Sequence, residues 1–146
     1  MNSQNISDEV LSAFRDVPCP QDSVSPATID ASNAIEAVDD MLGYSAEVTK
    51  YDLPRLMCAG ISMAEVDVRD RLLCRLICFF DVEFFDPEGN YDLVREIKRQ
   101  RFSSFSNAQC AAIHKWLECV KSLFELSEGG ESLASASKYW KARCAI

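Results

Sequence analysis

Apolar residues along this chain recur at every third or fourth position, the spacing of one face of an α-helix, and no stretch alternates convincingly as a half-buried strand would. The first stripe is Val10, Leu11, Phe14 and Val17. Ser7 precedes it as an N-cap, and Asp8 and Glu9 fall in the first turn, where the positive end of the helix dipole favours carboxylates. Ile6 and Leu11 stand at the positions of a hydrophobic staple. Pro18-Cys19-Pro20 stops the helix, because proline lacks the amide donor and its ring clashes with the preceding turn.

After a polar loop, Ser25-Pro26 reads as an N-cap followed by proline at the first helical position. Ala31, Ile35, Val38 and Leu42 continue at helical spacing, and Gly43 fits the left-handed position past a helix end. The opposite face carries Asp30, Glu36, Asp39 and Asp40. Residues 44–61 pattern less clearly. Tyr51-Asp52-Leu53-Pro54 predicts a turn, with a short helix around Arg55 to Ala59. Ser62-Met63-Ala64-Glu65 has the form of a capping box and predicts a helix over residues 63–82. Leu72, Leu73, Leu76, Ile77, Phe79 and Phe80 leave that helix little polar surface, so it should be the central one, with Asp67, Arg71 and Arg75 laddered along a narrow face.

Asp86-Pro87-Glu88-Gly89-Asn90 reads as a turn, and a basic helix over 91–100 should face Leu93, Val94 and Ile97 inward. Ser106-Asn107-Ala108-Gln109 is a second capping box, opening a helix over 107–126 with Ile113, Trp116, Leu117, Val120 and Phe124 inside. Glu128-Gly129-Gly130 breaks it, and a last helix over 131–144 turns Leu133, Ala136 and Trp140 to one side. No internal repeat is present. The pattern predicts an all-α protein: an irregular bundle of about six helices forming a single domain over residues 1–146.

Composition agrees with a self-sufficient core. The chain has 146 residues, of which 48% are hydrophobic and 26% charged. A chain of this length can bury roughly 70% of its unfolded surface. Its most apolar run, Leu72 to Phe80, is interrupted by Arg75 and falls well short of the about 20 residues a spanning helix needs, which argues against a membrane. The N-terminus has neither the basic nor the apolar region of a signal peptide, which predicts a cytoplasmic protein. The seven cysteines lack framework spacing, so they read as reduced thiols behaving as small hydrophobes.

Charge changes the picture most. Residues 1–54 hold ten acids and two bases, which accounts for the whole net charge of −8 and leaves residues 55–146 neutral. An acidic half repels nucleic acid and attracts basic proteins. Arg95, Lys98, Arg99 and Arg101, with Phe102 and Phe105 beside them, form the one basic cluster, and it reads as a solvated helix face balancing the acidic half. Asp30, Glu36, Asp39, Asp40 and Glu47 are the candidate contacts for a basic partner, with Tyr44 as an aromatic anchor.

Catalytic signals are weak. Cys74 and Cys78 lie one helical turn apart but supply two ligands, where a structural zinc site takes four. Cys110, His114 and Cys119 are ligand-like types, yet at about 100° per residue Cys110 and Cys119 point to opposite sides of a helix. Cys110 and His114 share a face beside Glu118 and Lys121, which reads as a solvated flank. With a single histidine in the chain, that pair is the one route to nucleophilic catalysis. Asp39-Asp40 face about 100° apart on a helix, and no glycine-rich phosphate cradle is present. The expectation is therefore no enzyme, no metal and no cofactor.

Ile61 to Glu65 with the run to Phe80, Arg101-Phe-Ser-Ser-Phe-Ser-Asn-Ala-Gln-Cys-Ala-Ala-Ile-His-Lys-Trp-Leu-Glu118, Val17 to Pro20 and Tyr139-Trp140 resemble in helix and cap pattern an uncharacterised family of small bacterial helical proteins. In general type the chain is similar to the immunity proteins of bacterial toxin systems, which are small, acidic and cytosolic. That likeness implies a module that neutralises a basic toxin domain by direct binding. The alternatives are a structural or regulatory subunit, including a homodimer, or a protein using Cys110/His114 or Cys74/Cys78 as a metal or catalytic site.

Overall fold

The computed structural model describes residues 2–20, 26, 28–84, 89, 91–126 and 129–144. Among the described residues there are seven α-helices and no strand: α1 (Ser3–Phe14), α2 (Ala34–Asp39), α3 (Ala46–Ser62), α4 (Val66–Phe80), α5 (Tyr91–Ser103), α6 (Asn107–Leu123) and α7 (Gly130–Cys144). A 3-10 turn, Met41–Gly43, links α2 to α3. The all-α bundle is as the apolar periodicity predicts, and the additional helix is α3.

Five helices close a circuit. α1 packs on α3, α3 on α4, α4 on α7, α7 on α6, and α6 back on α1. α2 lies against α4, while α5 makes almost no close backbone approach to any other helix. The circuit encloses an aromatic core. Phe80 meets Trp116 and Trp140 edge-on, with ring centroids 5.7 Å apart in each pair. Each buried indole N–H finds an acceptor, Trp116 donating to the Met57 carbonyl at 3.0 Å and Trp140 to the Phe80 carbonyl at 3.1 Å. Such pairings keep a large ring from burying an unsatisfied donor. All seven helices contribute to one connected set of buried side chains.

α3 corrects the expected turn at residues 51–54. The helix runs continuously through Pro54. An interior proline costs about 3 kcal/mol. Leu53, Leu56 and Met57 are fully buried on this helix, and each such side chain contributes about 1.5–3 kcal/mol, so burial outweighs the proline. Gly60 lets α4 approach closely, since a Cβ there would stand 3.0 Å from the Leu73 Cδ2.

Capping signals divide. At Ser106 the box forms in full, with Gln109 N–H donating to the Ser106 Oγ and Ser106 N–H to the Gln109 Oε1. At Ser62 it does not. Ser62 instead ends α3, its hydroxyl donating back to the Cys58 carbonyl at 2.8 Å, and α4 starts after Glu65 with no side-chain cap. A serine between two helices can serve only one of them, and here α3 claims it.

Helix starts shift for similar reasons. Asn2 caps α1, its side chain accepting from the Asn5 N–H at 2.8 Å, so Ser7 lies inside the helix. Ile6 then faces the core and Leu11 is exposed, which removes the expected staple. α2 is shorter than the pattern implies. Pro26 is not helical, and Ser25 lies outside the described residues. The Asp30 carboxylate accepts from the Ser32 N–H, and the Asn33 side chain accepts from the Asp30 N–H, giving the backbone a local alternative to a helical turn. Gly43 closes the 3-10 turn without the left-handed conformation expected of it.

Gly129 does adopt a positive φ of 90°, just where α7 begins. Of the expected turn at residues 86–90, all but Gly89 lies outside the described residues. The ladder expected along Asp67, Arg71 and Arg75 gives way to an ion pair between Arg75 and Asp39 on α2. Among the described residues no helix is long and apolar enough to cross a membrane.

Candidate functional site

Of the six residues expected to face a basic partner, three line one concavity and Asp39 lines another. Asp30 is a turn residue. Hydrogen bonds from the Ser32 hydroxyl and amide hold its carboxyl below the ordinary value. Asp39 pairs with Arg75 at 3.5 Å and borders a different concavity, a groove between α2, α4 and α5. Glu47 is exposed on the first turn of α3. Glu36, Asp40 and Tyr44 do converge. With Pro26, Ala37 and Asp52 they line a concavity of about 140 Å³ where α2, the 3-10 turn and α3 meet.

The charges in this concavity are unequal. Asp52 is buried and pairs with Arg55 at 3.3 Å. The Arg55 guanidinium also donates to the Pro26 carbonyl at 2.6 Å and lies over the Tyr51 ring. Glu36 and Asp40 are exposed and have no ion-pair partner among the described residues. They are the two uncompensated carboxylates beside the half-buried Tyr44.

The basic cluster on α5 is corrected. Arg95 and Arg99 both pair with Glu83, at 3.0 and 3.2 Å. Arg101 reaches across to the turn before α3, donating to the Met41 carbonyl at 3.3 Å and to the Thr49 hydroxyl at 2.8 Å. Lys98 is only 4% exposed. Its ammonium donates to the Cys78 and Asp81 carbonyls at 2.7 and 3.0 Å, satisfying acceptors left over at the end of α4. Desolvation dominates its titration and pushes it down to about 8, against the smaller opposing pull of Asp81. A solvated face was expected because four bases in seven residues look like surface. The apolar stripe of α5 gives the contrary signal: Val94, Lys98 and Phe102 are spaced by four, so Lys98 occupies a core position. Leu93, expected inside, is exposed.

Cys110 is likewise corrected. It is fully buried and not on a solvated flank, because α6 is covered by α1 on one side and α7 on another, which also buries Cys119. An Arg143 guanidinium nitrogen lies 3.5 Å from the Cys110 sulfur. His114 sits 3.6 Å from Glu118, and no hydrogen bond joins it to Cys110. Cys74 and Cys78 are half-buried, and burial raises the Cys78 thiol. Among the described residues no three His, Cys, Asp or Glu side chains gather as a metal site would require.

No family model, no curated protein and no solved structure matches this chain.

Proposed function

We propose that this chain is a protein-binding module that holds a basic partner against the face formed by α2, the 3-10 turn and the start of α3, and more narrowly that it neutralises a basic toxin domain as an immunity protein does. The carrying observation is the convergence of Glu36, Asp40 and Tyr44 on one concavity, with neither of those two carboxylates neutralised from within the described residues. Two unpaired acids beside an aromatic ring offer a cationic side chain both charge and a ring face. Asp39, already paired with Arg75 and lining a different concavity, takes no part.

A photo-crosslinking residue at position 44, in cells that express the natural partner, tests the reading. The expected product is a crosslink to one basic protein, lost in Glu36→Lys/Asp40→Lys and retained in Asp39→Lys. Association of the purified pair should slow about tenfold or more in the double variant at low salt. A crosslink indifferent to the double reversal, or to an acidic protein, would refute the proposal. Growth arrest when the captured partner is expressed alone would support the toxin-neutralising form, and its absence would limit the role to binding.

A further inference from the structure

Apart from its last turn, where Phe102 packs on Phe79 and Trp140, α5 stands away from the rest of the bundle, and the space beneath it is a groove of about 270 Å³. Val38 and Leu42 on one side, Phe79 below, and Phe84 and Val94 on the other make most of its wall apolar. Lys98 lines it as well. A cation this deeply buried is ordinarily matched by a carboxylate, because desolvation otherwise opposes the charged form. Lys98 has no ion-pair partner within 4 Å among the described residues. Two of its three donors go to the carbonyls at the end of α4, and its ammonium stands 5.8 Å from the centroid of Phe84, another wall of the groove. The site thus has an apolar body and a buried ammonium that makes no ion pair among the described residues, the nearby Asp81 carboxylate being engaged by the Ser135 hydroxyl and the Glu83 N–H.

We propose that this groove binds a small carboxylate with an apolar tail, its tail against Val38, Phe79 and Val94 and its head beside Lys98. The size is the first argument. Ligand sites usually run about 300–1,000 Å³, so this groove of about 270 Å³ sits just below the lower end and suits a small ligand. The charge is the second. One buried ammonium suits a monoanion, whereas a phosphate dianion calls for several convergent donors. Arg75, at the rim, pairs among the described residues with the half-exposed Asp39, a weak interaction that a carboxylate can exchange for its own. The groove is a different concavity from the one that Glu36 and Asp40 line, so this site stands or falls independently of the protein-docking face.

Octanoate and its neutral counterpart 1-octanol are the probes, titrated into the full chain and read by amide and methyl chemical-shift changes. Saturable octanoate binding is expected, with shifts centred on Val38, Phe79 and Val94. Octanol should bind about tenfold to a hundredfold more weakly, the value of one charge-assisted hydrogen bond in a desolvated site. Lys98→Met should bring octanoate down to the level of octanol. Val94→Trp, which fills the groove and leaves the ammonium in place, should abolish both. Because Lys98→Met also strips the end of α4 of its donor, the Lys98 titration is followed directly in the unaltered chain, where bound octanoate should raise it. Equal affinity for acid and alcohol, shifts centred elsewhere, or a Lys98 titration unmoved by octanoate would each overturn the proposal.

Discussion

The middle of the bundle and its α5 edge are built on different principles. Inside the five-helix circuit, Phe80, Trp116 and Trp140 touch ring to ring and every indole N–H has a carbonyl. At the edge, backbone approaches are sparse and long side chains span the distance: Lys98 to the end of α4, Arg101 to the 3-10 turn and Thr49. The first arrangement is close packing, whose strength scales with area and fit. The second pins the last turn of α5 through the buried Phe102, whose ring meets Phe79 and Trp140, and holds the rest of the helix by charged tethers across a gap. Tethers hold a helix in place without filling the space under it, which is why a groove exists beneath α5.

Removing a ring should test this contrast most severely. Trp140→Ala deletes a fully buried indole and should lower stability by about 3–5 kcal/mol in urea unfolding, with cooperativity lost across all helices of the circuit. Cutting a tether should do less and act locally. Arg101→Met or Lys98→Met should each cost about 2 kcal/mol, as charge-assisted hydrogen bonds across the fold are lost. Amide exchange should then quicken in α5 well before α6 or α7. Uniform quickening would mean that α5 belongs to the same cooperative unit as the core.

Lys98 also gives the edge a pH signature. Its folded pKa of about 8 lies below its ordinary 10.5, so above pH 8 the unfolded chain binds the extra proton. Stability should therefore rise with pH from about 8 upward. The half-buried thiols of Cys58 and Cys78 work the other way, since burial raises them above their ordinary 9.0 and the unfolded chain ionises first. The rise should accordingly stop near pH 9 and reverse. Lys98→Met should keep the fall and lose the rise, measured as urea midpoints from pH 7 to 10. A rise that survives in Lys98→Met would assign it to another group.

The smallest effects concern caps and surface. Ser106→Ala should cost about 1 kcal/mol, since its box is formed. Ser62→Ala should fall within about 0.5 kcal/mol, because its hydroxyl only bonds back within α3. Glu36→Lys/Asp40→Lys should also change stability by less than about 1 kcal/mol, as both residues are exposed and form no ion pair among the described residues. A large loss there would make the acidic concavity a structural feature and weaken its reading as a docking face.

The helical class, the apolar stripes of α4 and α6 and the box at Ser106 were legible in the chain itself, because each depends on residues within a turn or two of one another. Tertiary structure decided the rest. Pro54 marks a turn by its own chemistry, and the burial of Leu53, Leu56 and Met57 keeps α3 continuous through it. Asp39 and Asp40 are neighbours in sequence, yet Arg75 claims one and leaves the other to the concavity with Glu36 and Tyr44. Lys98 looks like a solvated base beside Arg95 and Arg99 until the end of α4 arrives to take its ammonium. Local sequence sets which face of a helix is apolar, but what a charge meets across the fold depends on contacts between residues far apart in the chain, and no periodicity encodes those.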